Sequence, residues 1–139
     1  MEPSSLPNTT FTNMKGQVNE VWKSLQEFNG SDKFYLIPRV KTRFTTGIKF
    51  LAEKAECFWL ITDASIISKG LMDKSYFITI NFKRLPKEEQ KTKGFEAYVV
   101  YGDGNGNDLF FQKYRVTDFP FDEFRLFFIE GTLMLPNEY

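Results

Sequence analysis

The sequence predicts an α+β fold, with N-terminal helices packed on one face of a mostly antiparallel, meander-like β-sheet. Three observations predict it. Apolar residues recur at helical spacing before residue 70. They alternate with polar ones after it. Helices first and strands afterwards is the order expected when helices gather on one side of an antiparallel sheet.

Residues 1–15 are polar, contain proline and carry no period, which predicts a loose N-terminal arm ahead of one domain over 16–139. Val18, Val21, Trp22, Leu25 and Phe28 then follow the i, i+3, i+4, i+7, i+10 series of an amphipathic helix, and Asn29-Gly30 suits the left-handed turn that ends one. Residues 33–44 mix aromatic, β-branched and basic residues around Pro38, as an edge strand or extended loop does. Thr45-Thr46 can cap a helix that carries Ile48, Leu51, Ala52 and Ala55 inward. The series Cys57, Leu60, Ile61, Ala64 and Ile67 fits a helix, but Phe58-Trp59-Leu60-Ile61 equally fits a short buried strand. Periodicity does not arbitrate.

Strands are expected over 76–82, 95–101 and 109–116, with a charged connection over 86–93 and a glycine-rich turn over 102–108. Two more strands, over 124–129 and 132–135, flank Glu130-Gly131. No internal repeat is present.

Composition bounds the chemistry. The 139 residues hold eighteen Lys/Arg and eighteen Asp/Glu. Residues 1–95 nevertheless carry fifteen basic against ten acidic side chains, and residues 96–139 three against eight. A basic and an acidic face result if the halves separate in space; interleaved strands cancel the asymmetry. Cys57 is the only cysteine, so neither an intrachain disulfide nor a multi-cysteine zinc site is expected. The N-terminus lacks a signal-peptide pattern and no apolar run is long enough to span a bilayer, so the chain reads as cytoplasmic and its two glycosylation sequons as chance.

There is no histidine, which removes Ser-His-Asp and Cys-His nucleophilic catalysis and histidine-ligated metal sites. Cys57 beside Phe58-Trp59 reads as a buried, inert thiol. Asp103, Asn105 and Asn107 match positions 1, 3 and 5 of an EF-hand loop, but position 6 is Asp108 and position 12 is Tyr114. As a phosphate loop the same glycines lack the required spacing and precede a strand. Asp118, Asp122 and Glu123 form an acid cluster that chance also produces, with Asp118 expected to make a local turn hydrogen bond. No catalytic residue, metal or cofactor is assigned.

The stretch 33–49 is the most suggestive of partner contact. Lys33, Arg39, Lys41, Arg43 and Lys49 carry five positive charges and no acid, interleaved with Phe34, Tyr35 and Phe44. Basic groups attract phosphates or acidic protein surfaces, and rings stack on bases. The residues assigned to a partner are Lys33, Tyr35, Arg39, Lys41, Arg43 and Phe44. The plainer reading is a core filled by the rings, with the cations solvating its outer side.

Several segments together resemble an uncharacterised family of small bacterial proteins found largely on mobile elements and in phage-related regions. They are Leu25-Gln26-Glu27-Phe28-Asn29-Gly30-Ser31, Thr46-Gly47-Ile48-Lys49-Phe50-Leu51-Ala52-Glu53, Phe58-Trp59-Leu60-Ile61 and Thr117-Asp118-Phe119-Pro120. The most specific is the closing Gly131-Thr132-Leu133-Met134-Leu135-Pro136-Asn137-Glu138-Tyr139. The likeness spans about residues 17–139, and Thr46 departs from the Asp that members of the family carry there. The family supplies no catalytic residues. What the resemblance implies is a context: a non-enzymatic counter-defence inhibitor, similar to anti-CRISPR proteins, that binds a bacterial RNA-guided nuclease or its guide complex. The alternatives are direct RNA or single-stranded DNA binding, an enzyme built on Asp118, Asp122 or tyrosines, and a structural module that exposes strand edges or the Phe-rich 119–128 segment. The oligomeric state is open.

Overall fold

A computed structural model describes residues 18–28, 33–37 and 40–139. The arm expected over 1–15 and the Asn29-Gly30 turn lie outside them. The first helix, α1, occupies 18–25 and buries Leu25. A hairpin of β1 (Phe34–Ile37) and β2 (Thr42–Thr45) follows, where an edge strand or loop was expected. Thr45 caps α2 (Thr46–Lys54), its hydroxyl accepting from the Ile48 amide at 3.3 Å.

The ambiguous segment resolves as α3 (Phe58–Gly70). Its Leu60, Ile61 and Ala64 are buried, and the run continues for thirteen residues, longer than a buried strand usually is. Then come β3 (Phe77–Arg84), a short helix α4 (Lys87–Lys93), β4 (Ala97–Gly102), β5 (Asp108–Tyr114), β6 (Glu123–Ile129), β7 (Thr132–Met134) and a 3₁₀ turn over Pro136–Glu138. The charged connection over 86–93 is thus a helix with no buried residue, ended by Gly94 in the left-handed region. Acids in its first turn, lysines in its last and the Glu89–Lys93 pair at 3.7 Å support it without packing.

The seven strands form one mixed sheet in the order β1-β2-β7-β6-β3-β4-β5. Strands β3, β4 and β5 make the expected antiparallel meander. The last hairpin does not extend it. Instead β6 pairs with β3, and β7 pairs in parallel with β2, joining the N-terminal hairpin to the meander. Helices α2 and α3 cover one side, where Ile78, Ile80, Phe82, Ala97, Val99, Tyr101, Phe124, Leu126, Phe128 and Leu133 alternate inward along their strands. The segment 119–121 closes the core over β3 and β6: Phe119 lies 4.7 Å from Phe82 and 5.7 Å from Phe124, ring to ring. Trp22 of α1 meets Phe121 and Phe124 at 6.0 and 5.8 Å.

The 3₁₀ turn fastens these pieces. The Asn137 amide donates to the carbonyls of Leu25 (3.0 Å) and Phe28, at the end of α1. Glu138, 8% exposed, accepts from the Thr45 hydroxyl (2.5 Å) and from the Gly47 (3.1 Å) and Leu135 (3.0 Å) amides. A carboxylate at a helix start is favoured by the unsatisfied amides and the dipole there. Gly47 leaves room for it, because a Cβ would stand 2.6 Å from Glu138 Oε1.

Candidate nucleic-acid and protein interface

Strand alternation gives the sheet a second face, and among the described residues no helix packs on it. Register places Arg43, Thr132, Ile129 and Phe77 in successive strands across one row of this face. A second row holds Arg125, Asn81, Val100 and Phe111. A third holds Glu123, Lys83, Tyr98 and Lys113. An open antiparallel face normally carries polar residues at these positions. Here rings stand among them. Phe34 is 48% exposed and Phe111 47%. Tyr98 stacks on Phe111 at 5.0 Å, and Phe77 and Phe127 meet at 4.8 Å beneath the exposed Tyr139.

Cations stand beside the rings. The Arg43 guanidinium lies 5.3 Å over Phe34 and the Lys113 ammonium 5.2 Å over Phe95. Arg125 is two residues from Phe127, so both project from β6 to the same side, and its Nε donates to Asn81 Oδ1 at 2.8 Å. That bond aims the guanidinium while leaving its two NH₂ groups for a ligand. Lys83 stands directly opposite Glu123 in the register. The central part of the face is a groove of about 410 Å³ lined by Phe77, Thr79, Asn81, Arg125, Phe127 and the glycine turn. Gly104 allows that turn to fold down on Phe77, where a Cβ would come within 2.9 Å of the ring.

Among the described residues expected to meet a partner, the sheet separates Arg43 from Tyr35 and Phe44. Arg43 is exposed on the open face, while Tyr35 and Phe44 stack at 5.5 Å on the helix side, Phe44 buried in the core. Lys49 lies over Tyr35 at 5.0 Å and pairs with Glu53 at 3.6 Å. Lys33 precedes β1, and exposed Lys41 occupies the β1–β2 turn with φ 61°. Arg39 lies outside the described residues. The sheet therefore divides a stretch that is continuous in sequence. Sequence reasoning missed Phe77, Tyr98, Phe111, Lys113, Arg125, Phe127 and Tyr139; the available signal was apolar residues at both parities of the same strands.

Of the groups considered for catalysis, Cys57, Asp122 and Tyr114 make internal contacts. Burial, with the Asp118 charge adding to it, pushes the Cys57 thiol up to about 12, and the thiol faces the Leu51 carbonyl. Asp122 pairs with Arg84 at 3.2 Å, and Arg84 also donates to the Phe119 and Phe121 carbonyls. The turn bond expected of Asp118 is made by Thr117 instead, whose hydroxyl accepts from the Phe119 amide at 3.1 Å. The 119–128 segment is largely core, with Phe119, Phe121, Phe124 and Phe128 buried. On the helix side Asp63 accepts from the Tyr114 hydroxyl at 2.8 Å, and burial first, then that bond, raises the Tyr114 phenol above its ordinary range. Both oxygens of Asp103 accept from within its own turn, from the Asn107 side chain and the Asn105 and Asn107 amides. The Asn107 side chain above all holds that carboxyl below its usual value. Among the described residues no three Cys, Asp or Glu side chains gather to hold a metal ion, and no helix is long and apolar enough to cross a membrane.

No curated protein and no solved structure matches the chain. A family model does match residues 19–139, so the segments that build both the helix layer and the open sheet face fall within it. The chain belongs to that family, a family of unknown function designated DUF6876.

Proposed function

We propose that this chain is a non-catalytic binding protein that docks a macromolecular partner on the open face of its sheet. The observation that carries the reading is the ring-and-cation surface formed by Phe34, Arg43, Phe127, Arg125, Phe111 and Lys113, on a face without a helix over it. Exposed aromatic residues and arginine are the side chains that binding surfaces favour. The engagement of Glu138, Asp63, Asp122 and Cys57 in internal contacts supports a role without catalysis.

The resemblance to mobile-element proteins narrows the partner further. On that basis the chain is an inhibitor of a bacterial RNA-guided nuclease, engaging the nuclease or its guide complex, and acts in the cytoplasm. Affinity capture from a native host lysate, with bound protein and RNA both identified, tests the reading. The wild-type chain is expected to retain a nuclease complex. Arg43→Glu with Arg125→Glu and Lys113→Glu is expected to lose it, and Lys91→Glu on α4 to keep it. Retention by the triple variant, or an empty capture by the wild type, overturns the proposal.

A further inference from the structure

We infer that the open face takes single-stranded nucleic acid, laid across β6, β3, β4 and β5. The inference rests on the reading of this face as the docking surface, and it names the chemistry of the occupant.

The row Arg125–Asn81–Val100–Phe111 runs straight across four neighbouring strands. At ~4.8 Å between strands, the row spans about 14 Å. An open four-stranded sheet of this kind has room to stack two or three bases. The row begins at a guanidinium steadied by Asn81 and ends at the exposed Phe111–Tyr98 stack. Between them lie only a small amide and a half-buried valine, so no side chain obstructs a base lying flat. Phe127, one row away, forms a second ring cluster with Phe77 and Tyr139.

Charge fits the same occupant. The cations on the strands of this face are Arg43, Lys83, Arg125 and Lys113; Arg43 and Lys113 each lie over a ring, and Arg125 is two residues from Phe127. The neighbouring acids lie to either side of the row. Asp108 is at the glycine-turn end of the groove and Glu123 at the opposite end of β6. A phosphate backbone that follows Arg125 to Lys113 passes between them. An acidic peptide would satisfy the cations but leave the rings uncovered, and an apolar peptide would leave the cations buried and unpaired. A single strand with splayed bases satisfies both, because stacking is indifferent to base identity and the phosphates pair with the cations.

The test is fluorescence anisotropy with purified full-length chain and labelled ten-nucleotide homopolymers of RNA and DNA, alongside a duplex of equal length. Saturable single-strand binding is expected, with a Kd on the order of 10⁻⁴ to 10⁻⁶ M near physiological salt and tighter at low salt. Phe111→Ser should weaken it about tenfold. Arg125→Glu should weaken it and lower the salt slope by about 0.7 per lost phosphate contact. Phe111→Tyr and Arg125→Lys should retain most of the affinity, and Lys91→Glu all of it. Thermal unfolding of each variant separates loss of binding from loss of fold. Equal affinity for the duplex, no saturable binding at low salt, or an unchanged salt slope in Arg125→Glu each overturns the inference. If the nuclease complex is still captured in a face-dependent way, the failure is that of nucleic-acid chemistry alone, and the docking surface stands.

Discussion

The two faces of the sheet use the same residue type to opposite ends. On the covered face Phe119 is enclosed by Phe82, Phe121 and Phe124, with ring centroids 4.7 to 5.7 Å away, and is 1% exposed. On the open face Phe111 touches Tyr98 at 5.0 Å and leaves nearly half of itself in water. Burial of a ring inside stabilises the fold by removing apolar area from water. A ring outside contributes little of that, so its presence is not explained by folding. The difference teaches that rings on the open face contribute little to the fold, as the proposed docking surface requires, and three substitutions test it.

The largest effect belongs to the covered face. Phe119→Ala leaves a cavity amid rigid rings that belong to three different segments, and should cost about 3–5 kcal/mol of unfolding free energy. In a domain of this size the unfolding midpoint should fall by more than ~10 °C. Urea unfolding followed by tyrosine and tryptophan fluorescence measures it. A loss below about 1 kcal/mol would mean that the 119–121 segment is not the closure of the core, and the two faces would no longer differ in kind.

A middling effect is expected where the faces meet. The 3₁₀ turn sends Asn137 to the end of α1 and places Tyr139 against Phe77 and Phe127 on the open face, with Glu138 between them. Glu138→Gln keeps the shape but replaces one acceptor oxygen by an NH₂ among donors. The Gly47 or Leu135 amide then loses its partner. A buried donor left unsatisfied costs about 1–3 kcal/mol, which is the destabilisation expected in the same urea experiment.

Much of this comparison was legible in the sequence, though unevenly. The α+β class, the Thr45 cap and the strands of the meander followed from periodicity and turn chemistry, which are local. Three things were not local. The parallel pairing of β2 with β7 joins residues about ninety positions apart, and only two registered pairs carry it. The helix α4 owes nothing to an apolar stripe, so a search for one passes over it. The candidate site was split differently still: Arg43 was found, but Phe44 beside it turns inward because successive strand residues face opposite ways. A basic–aromatic run on a strand is always divided in this manner. The informative sign lay elsewhere, in Phe124-Arg125-Leu126-Phe127-Phe128-Ile129, where apolar residues occupy both parities although α2 and α3 lie on one face alone.

The smallest effect should be found on the open face, and it is the most telling of the three. Phe111→Ser removes a ring from the edge strand β5, where its contacts are the stack on Tyr98 and the cross-strand neighbour Val100. Such cross-strand pairs contribute roughly 0.2–1 kcal/mol, and no cavity forms because water already reaches the site. Stability should therefore fall by less than about 1 kcal/mol, several-fold less than for Phe119→Ala, with the urea m-value unchanged. A loss of the same size as that of Phe119→Ala would make Phe111 a core residue of a surface hidden in some assembly. Light scattering on the wild type, over a dilution series, would then find that assembly. A small loss leaves a ring kept in water at little structural benefit, as expected of a ring that serves the proposed docking surface rather than the fold.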